Sequence, residues 1–250
     1  MDPLIERLRA ARRVTVLTGA GVSAASGVPT FRGAGGMWKQ FRPEALATPE
    51  AFARDPVTVW EWYDWRRQEI AKAEPNDAHH VLARWEKRFP AFTLVTQNVD
   101  GLHERAGSRQ IVRYHGSIWQ LQCARMSAGL KACATESWED LRAPLPALPP
   151  TCPHCGGLAR PGVVWFGEPI PAAAIRNASR AAGNCDVFLA IGTSSVVYPA
   201  AGLLHEAAHH GAFTADINVE ATEASTAVDL AIRAPAEDVL REIDARLADP

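Results

Sequence analysis

Three short apolar runs constrain this chain most: residues 14–18 (VTVLT), 92–96 (FTLVT) and 187–191 (VFLAI). Each is short, rich in β-branched residues and uniformly apolar, the pattern of a strand buried on both faces. Shorter apolar stretches at 212–217 and 230–232 continue the series. Between them lie helical patterns at 55–73, 76–88, 171–182, 200–210 and 236–247. Asp55-Pro56 and Asn76-Asp77 open two of these, since Asp and Asn cap a helix and Pro suits its first turn. Strands alternating with helices predict an α/β fold, a Rossmann-like parallel sheet with helices on both faces. Such a sheet binds its ligands at the carboxyl ends of the strands.

The rhythm breaks at 118–165, a segment with four of the five cysteines and a Pro-rich connector at 143–150. It reads as a small metal-stabilised insert. An odd cysteine count and an N-terminus without an apolar core predict a reduced, cytoplasmic setting rather than a disulfide framework. A formal net charge of -2 gives no reason to expect nucleic acid or an anionic membrane as partner. No stretch reaches the ~18 apolar residues of a membrane span.

Directly after the first run, Gly19-Ala20-Gly21-Val22-Ser23-Ala24 matches a dinucleotide-binding turn, whose glycines let backbone amides approach a pyrophosphate. The acidic residue expected ~20 positions later, for the ribose hydroxyls, is missing. Instead Gly27-Val28-Pro29-Thr30-Phe31-Arg32-Gly33 is too rich in Gly and Pro for an ordinary crossover helix. Gln97, Asn98 and Asp100 follow the second run, and Gly192, Thr193, Ser194 and Ser195 the third. On local grounds these are equally polar turns and a helix cap. Of eight histidines, His79-His80 and His209-His210 read as helix-surface pairs, whereas His115 follows a predicted strand at 111–114.

GAGVSAASGVPTFRG (19–33), TQNVDGLHERAG (96–107), YHGS (114–117), VVWFGE (163–168) and GTSSVVYPA (192–200) occur in this order over nearly the whole chain. In this the sequence resembles the sirtuin family. The resemblance implies a single catalytic domain over 1–250. Its Rossmann-like part would comprise 1–35, 90–117 and 166–250, with a helical insert at 36–89 and a small zinc-ribbon-like module at 118–165. It implies that NAD is consumed as a co-substrate. The substrate amide oxygen attacks the anomeric carbon of the nicotinamide ribose, nicotinamide leaves, and the acyl group passes to ADP-ribose. Catalysis would rest on His115 as general base, with Asn98 and Asp100. NAD would contact Gly19, Ala20, Gly21, Ser23, Ala24, Thr30, Phe31, Arg32, Gln97, Asn98, Asp100, Gly192, Thr193, Ser194, Asn218 and Glu220. The last two would take the adenosine ribose in place of the missing acid. Val163, Val164, Trp165 and Phe166 would border the acyl-lysine tunnel, although family members often carry His where this chain has Gly162.

Two finer expectations follow. Tyr63 and Arg66 sit i, i+3 on the helix predicted for 55–73. On composition alone Tyr63 would be core and Arg66 a snorkelling surface charge like Arg67. However, residues 46–67 resemble the sirtuin subgroup in which this pair binds the distal carboxylate of succinyl- or malonyl-lysine. The expected substrates are therefore acyl-lysine side chains of proteins, with acetyl removed more weakly. A mainly deacetylating enzyme and a non-catalytic NAD-sensing module remain the alternatives, and a monomer is expected. Cys152-Pro153-His154-Cys155 is half of a zinc-ribbon signal. The second half reads Cys123-Ala124-Arg125-Met126 where a sirtuin usually has a second cysteine. Structural zinc on Cys123, Cys133, Cys152 and Cys155 is expected, the alternative being an insert that packs reduced thiols.

Overall fold

The computed structural model describes residues 1–31, 37, 42–124, 133 and 137–248. Its strands in chain order are β1 (Arg13–Thr18), β2 (Ala91–Thr96), β3 (Ile111–Arg113), β4 (Gly116–Cys123), β5 (Trp138–Glu139), β6 (Ala159–Val163), β7 (Val187–Ile191), β8 (Phe213–Asn218) and β9 (Leu230–Arg233). The helices are α1 (Asp2–Ala10), α2 (Pro43–Leu46), α3 (Pro49–Arg54), α4 (Pro56–Lys72), α5 (Asp77–Arg88), α6 (Leu102–Arg105), α7 (Ala172–Ala182), α8 (Gly202–His209) and α9 (Ala236–Ala248).

Six strands form a parallel sheet in the order β3-β2-β1-β7-β8-β9. Side chains alternate across it. Val14 and Val16 face a core shared with Leu4 and Leu8 of α1, Trp85 of α5 and Leu240 of α9. Leu17 faces the opposite side, with Phe188, Ala178 of α7 and Leu204 of α8. Both faces are thus covered, which explains the apolar runs. The chain leaves β1 in one direction toward β2 and returns on its other side at β7, so the strand order reverses between β1 and β7. That reversal opens a crevice. After β1 a 3-10 helix, Ala20–Ser26, replaces a crossover α-helix and stops at Gly27, whose φ of 84° is left-handed.

The second sheet, β5-β4-β6, is antiparallel and shares a core with α2, α3 and α4. Asp55 caps α4 by accepting the Thr58 N–H at 3.1 Å. Trp60 on α4 donates to the Ala159 carbonyl at 2.8 Å. Arg67, expected at the surface, is instead 0% exposed. Its guanidinium donates to the carbonyls of Ile118, Asp140 and Arg142, so it joins the helical insert to the small sheet. Carbonyls brought together by that sheet satisfy a charge that helical periodicity leaves unpartnered. No helix among the described residues is long and apolar enough to cross a membrane.

Candidate functional site

Strand register builds the first wall of the site. Thr18 pairs with Thr96 and Ile191, and Ile191 with Ile217. The next residues, Gly19, Gln97, Gly192 and Asn218, therefore stand in one row at the carboxyl edge of four adjacent strands. The row is locked laterally. Gly19 N donates to Ile191 O at 3.0 Å, Gln97 N to Thr18 O at 3.0 Å, and Gly192 N to Ile217 O at 2.9 Å. Gly21 N also donates to Gly192 O at 2.8 Å. This crossing requires glycine: at Gly192, with φ of 59°, a Cβ would lie 2.3 Å from Val22 N. Side chains tighten the edge, since Gln97 Nε2 donates to Thr193 Oγ1 and Asn218 Nδ2 to Thr193 O, both at 2.9 Å.

A cavity of about 1190 Å³ opens over this row. Of the residues expected to contact NAD, it is lined by Gly19, Ala20, Gly21, Ala24, Thr30, Phe31, Gln97, Asn98, Gly192, Thr193, Ser194, Asn218 and Glu220. Ser23 and Asp100 stand behind the lining. Arg32 lies outside the described residues.

His115 also lines the cavity, just after β3. Its Nδ1 lies 3.1 Å from the Gln97 carbonyl, which can only accept, so Nδ1 carries the proton and Nε2 keeps a lone pair. Burial lowers the imidazole's pKa below the ordinary histidine value, partly offset by the Gln97 hydrogen bond. The ring is therefore neutral at pH 7 and equipped to accept a proton at Nε2. The His115 carbonyl accepts Val164 N–H at 3.0 Å, which ties the 163–166 segment to the histidine. β6 ends at Val163, so Val164, Trp165 and Phe166 continue beyond the sheet.

Beneath the glycine turn lies a buried polar layer. Ser23 Oγ donates to Asp100 Oδ2 at 2.8 Å and accepts from Asn98 Nδ2 at 3.3 Å. Asn98 Nδ2 also reaches Gly19 O at 3.1 Å, and Asp100 Oδ1 takes the Leu102 N–H at 2.9 Å. Burial raises the Asp100 pKa, against the lowering effect of those donors. His79, expected on a helix surface, is fully buried here. Its Nδ1 accepts the Asn76 N–H in the cap of α5 and its Nε2 lies 3.4 Å from Ser23 Oγ. His103 Nε2 lies 3.0 Å from Thr18 Oγ1, and its ring centroid is 4.8 Å from that of His79. Burial pushes the His79 pKa down to about 4 and that of His103 well below the usual value. Neither was identifiable as part of the site from the sequence; the LHER stretch after Asp100 was the only signal for His103.

On another wall of the cavity α4 presents Tyr63 and Arg66, 3% and 6% exposed. The surface reading of Arg66 fails for a local reason: Cζ stands over the rings of Phe31 at 4.8 Å and Trp62 at 5.0 Å, in cation–π contact. Among the described residues no carboxylate lies within 4.0 Å of this guanidinium. Burial lowers its pKa, opposed by Tyr63 and Asp100. The Tyr63 hydroxyl accepts the Trp165 indole N–H at 2.9 Å. Burial raises the phenol to about 12.

Cys123, Cys133, Cys152 and Cys155 hold their sulfurs within 4.8 Å of one another, with Cys123–Cys155 and Cys133–Cys152 at 3.6 Å. A tetrahedral zinc with Zn–S bonds of ~2.3 Å needs sulfurs about 3.8 Å apart. The set fits, and the four cysteines are positioned to bind a zinc ion that would brace the small module. Burial acts against ionisation of Cys152, but the N–H groups of His154 and Cys155 and the neighbouring thiols bring it down to about 7. Met126 lies outside the described residues; Cys133 completes the set. Cys185 is buried elsewhere, in the core beside α7.

A parallel sheet that gathers its ligand-facing groups at one switch point defines a doubly wound nucleotide-binding protein. Residues 19–199 match the Sir2 family, and the chain belongs to that family, the sirtuins. It is 49% identical over 230 residues to an NAD-dependent protein deacylase of Aquifex aeolicus, covering 92% of this chain and 93% of that one. A solved Sir2 homologue–NAD complex superposes with a TM-score of 0.90 at 41% identity, covering 99% of this chain and 93% of the other. A mutant Sir2 homologue bound to ADP-ribose gives a TM-score of 0.92 at 41% identity, covering 99% and 96%.

Proposed function

We propose that this sirtuin, an NAD-dependent protein deacylase, removes succinyl and malonyl groups from protein lysine in preference to acetyl. The observation that carries the preference is Arg66: a buried guanidinium on the cavity wall, stacked between aromatic rings, with no carboxylate partner among the described residues. An unpaired buried cation is costly, and a substrate carboxylate would complete it. Tyr63, one helical turn away, offers a second donor.

In this reading the NAD phosphates and ribose lie on the row from Gly19 to Asn218, with Glu220 beyond it. His115 Nε2 takes a proton from the ribose hydroxyls, so that the 2′-oxygen can attack the imidate formed when the amide oxygen displaces nicotinamide. The lone pair left on Nε2 by the Gln97 contact supports that role. Asn98, oriented by Ser23 and Gly19, faces the reacting ribose, and Asp100 anchors Ser23 from behind. The acyl-lysine enters along 163–166, and the acyl chain extends toward Arg66. The four-thiol site fits a reduced cytoplasmic setting.

The test is Arg66→Met assayed on matched peptides. A hydrogen bond to a charged group contributes about 1.5–3 kcal/mol, so kcat/KM for succinyl-lysine is expected to fall roughly 10- to 150-fold. Acetyl-lysine should lose far less. Equal losses on both would sink the acidic-acyl assignment.

A further inference from the structure

Tyr63 and Arg66 do not act alone: a third residue, 102 positions from Tyr63, decides what the phenol can do. A phenol oxygen can accept or donate, whereas an indole N–H only donates. Trp165 Nε1 stands 2.9 Å from the Tyr63 oxygen, so in this pair the oxygen is the acceptor. The phenol proton lies in the ring plane with two positions, and the indole occupies one side. It is thereby turned to the other side, as a donor. Tyr63 stays neutral, since burial raises its pKa to about 12.

Trp165 is itself held on three sides. The Arg160 guanidinium lies 3.5 Å from its ring centroid, in line with cation–π attraction. Arg160 is paired through both terminal nitrogens with Glu168, and Glu168 Oε2 also accepts the Trp165 backbone N–H at 2.9 Å. Phe52 packs against the indole with centroids 5.3 Å apart. The ring contacts with Arg160 and Phe52 fix the indole, Glu168 fixes the Trp165 backbone, and the indole N–H fixes the phenol.

We infer that Trp165 is a specificity-positioning residue, which sets the Tyr63 hydroxyl as a donor to an acceptor-only acyl terminus, a carboxylate. The inference rests on the acidic-acyl reading above and extends it from the pair that touches the acyl terminus to the residue that orients it. A terminal methyl, as in acetyl, gains nothing from an oriented donor. The indole N–H should therefore act on the ratio of succinyl to acetyl turnover rather than on both equally.

The test is a double-mutant cycle of Trp165→Phe and Tyr63→Phe, read as the ratio of kcat/KM on succinyl- and acetyl-lysine peptides with the same enzyme preparation. A ratio within one preparation cancels any loss of folded enzyme. Trp165→Phe keeps an aromatic ring against Phe52 and Arg160 and removes the N–H. One oriented hydrogen bond corresponds to about a fivefold drop in the succinyl-to-acetyl ratio. On the Tyr63→Phe background the same change should leave the ratio unaltered. A wild-type preference for succinyl that survives Trp165→Phe, or an equal drop on the Tyr63→Phe background, overturns this assignment alone. A wild-type enzyme without preference for acidic acyl groups overturns it together with the reading it rests on.

Discussion

At the scale of single residues, the chemistry depends on protons whose positions are set by a neighbour that can only accept or only donate. The Gln97 carbonyl holds the His115 proton on Nδ1 and leaves a lone pair on Nε2, the proposed base. Because burial lowers its pKa, His115 stays neutral to lower pH than an exposed histidine. The acid limb of the kcat/KM profile should fall with an apparent pKa below about 6.5. A limb centred above that value would mean that another group controls it. His115→Tyr should abolish steady-state formation of deacylated lysine, down to background, while thermal unfolding remains cooperative; retained turnover would remove His115 from its role.

At the scale of elements, the glycine turn and the end of β7 act as one unit. Gly192→Ala puts a Cβ 2.3 Å from Val22 N and should raise KM for NAD on the order of a hundredfold, as misplacing a binding wall by an ångström does. Gly27→Ala is the control. Its φ of 84° is also left-handed, but the added Cβ meets nothing within 4 Å. It should cost about 1–2 kcal/mol in urea unfolding and leave KM for NAD near wild type. Much of this scale was legible in the sequence. The runs VTVLT, FTLVT and VFLAI became β1, β2 and β7 because doubly covered strands have no polar side to blur the pattern. Asp55 and Asn76 cap α4 and α5 because capping is local. What was not legible involves partners far along the chain. Arg67 finds its carbonyls 51 to 75 residues away, and His79 faces Ser23 from 56 residues away. Helical spacing says which side of α4 or α5 a residue is on, but not what that side meets.

At the scale of the whole molecule, two linked units line one cavity: the large sheet presents the row from Gly19 to Asn218, proposed to face NAD, and α4 presents Tyr63 and Arg66, the proposed acyl end. The four-cysteine cluster and the buried histidines make stability sensitive to metal and to pH. Cys133→Ser should lower bound zinc well below one per chain, measured by atomic emission, and reduce Tm; full retention would mean that Cys133 is not a ligand. His79 is neutral when folded but takes a proton near pH 6.5 when unfolded, with a folded pKa of about 4. The unfolded state thus binds more protons as pH falls, so stability is lost between about pH 6.5 and 4, by about 3 kcal/mol from this group. His79→Gln should flatten that slope in pH-dependent unfolding. The proposed function places a nucleotide row and an acyl pocket bearing Arg66 in one cavity. Its most direct test is kcat/KM of the wild-type enzyme on acetyl-, malonyl- and succinyl-lysine versions of one peptide at saturating NAD. Malonyl and succinyl should exceed acetyl by roughly tenfold or more. Acetyl equal to or faster than both would contradict it.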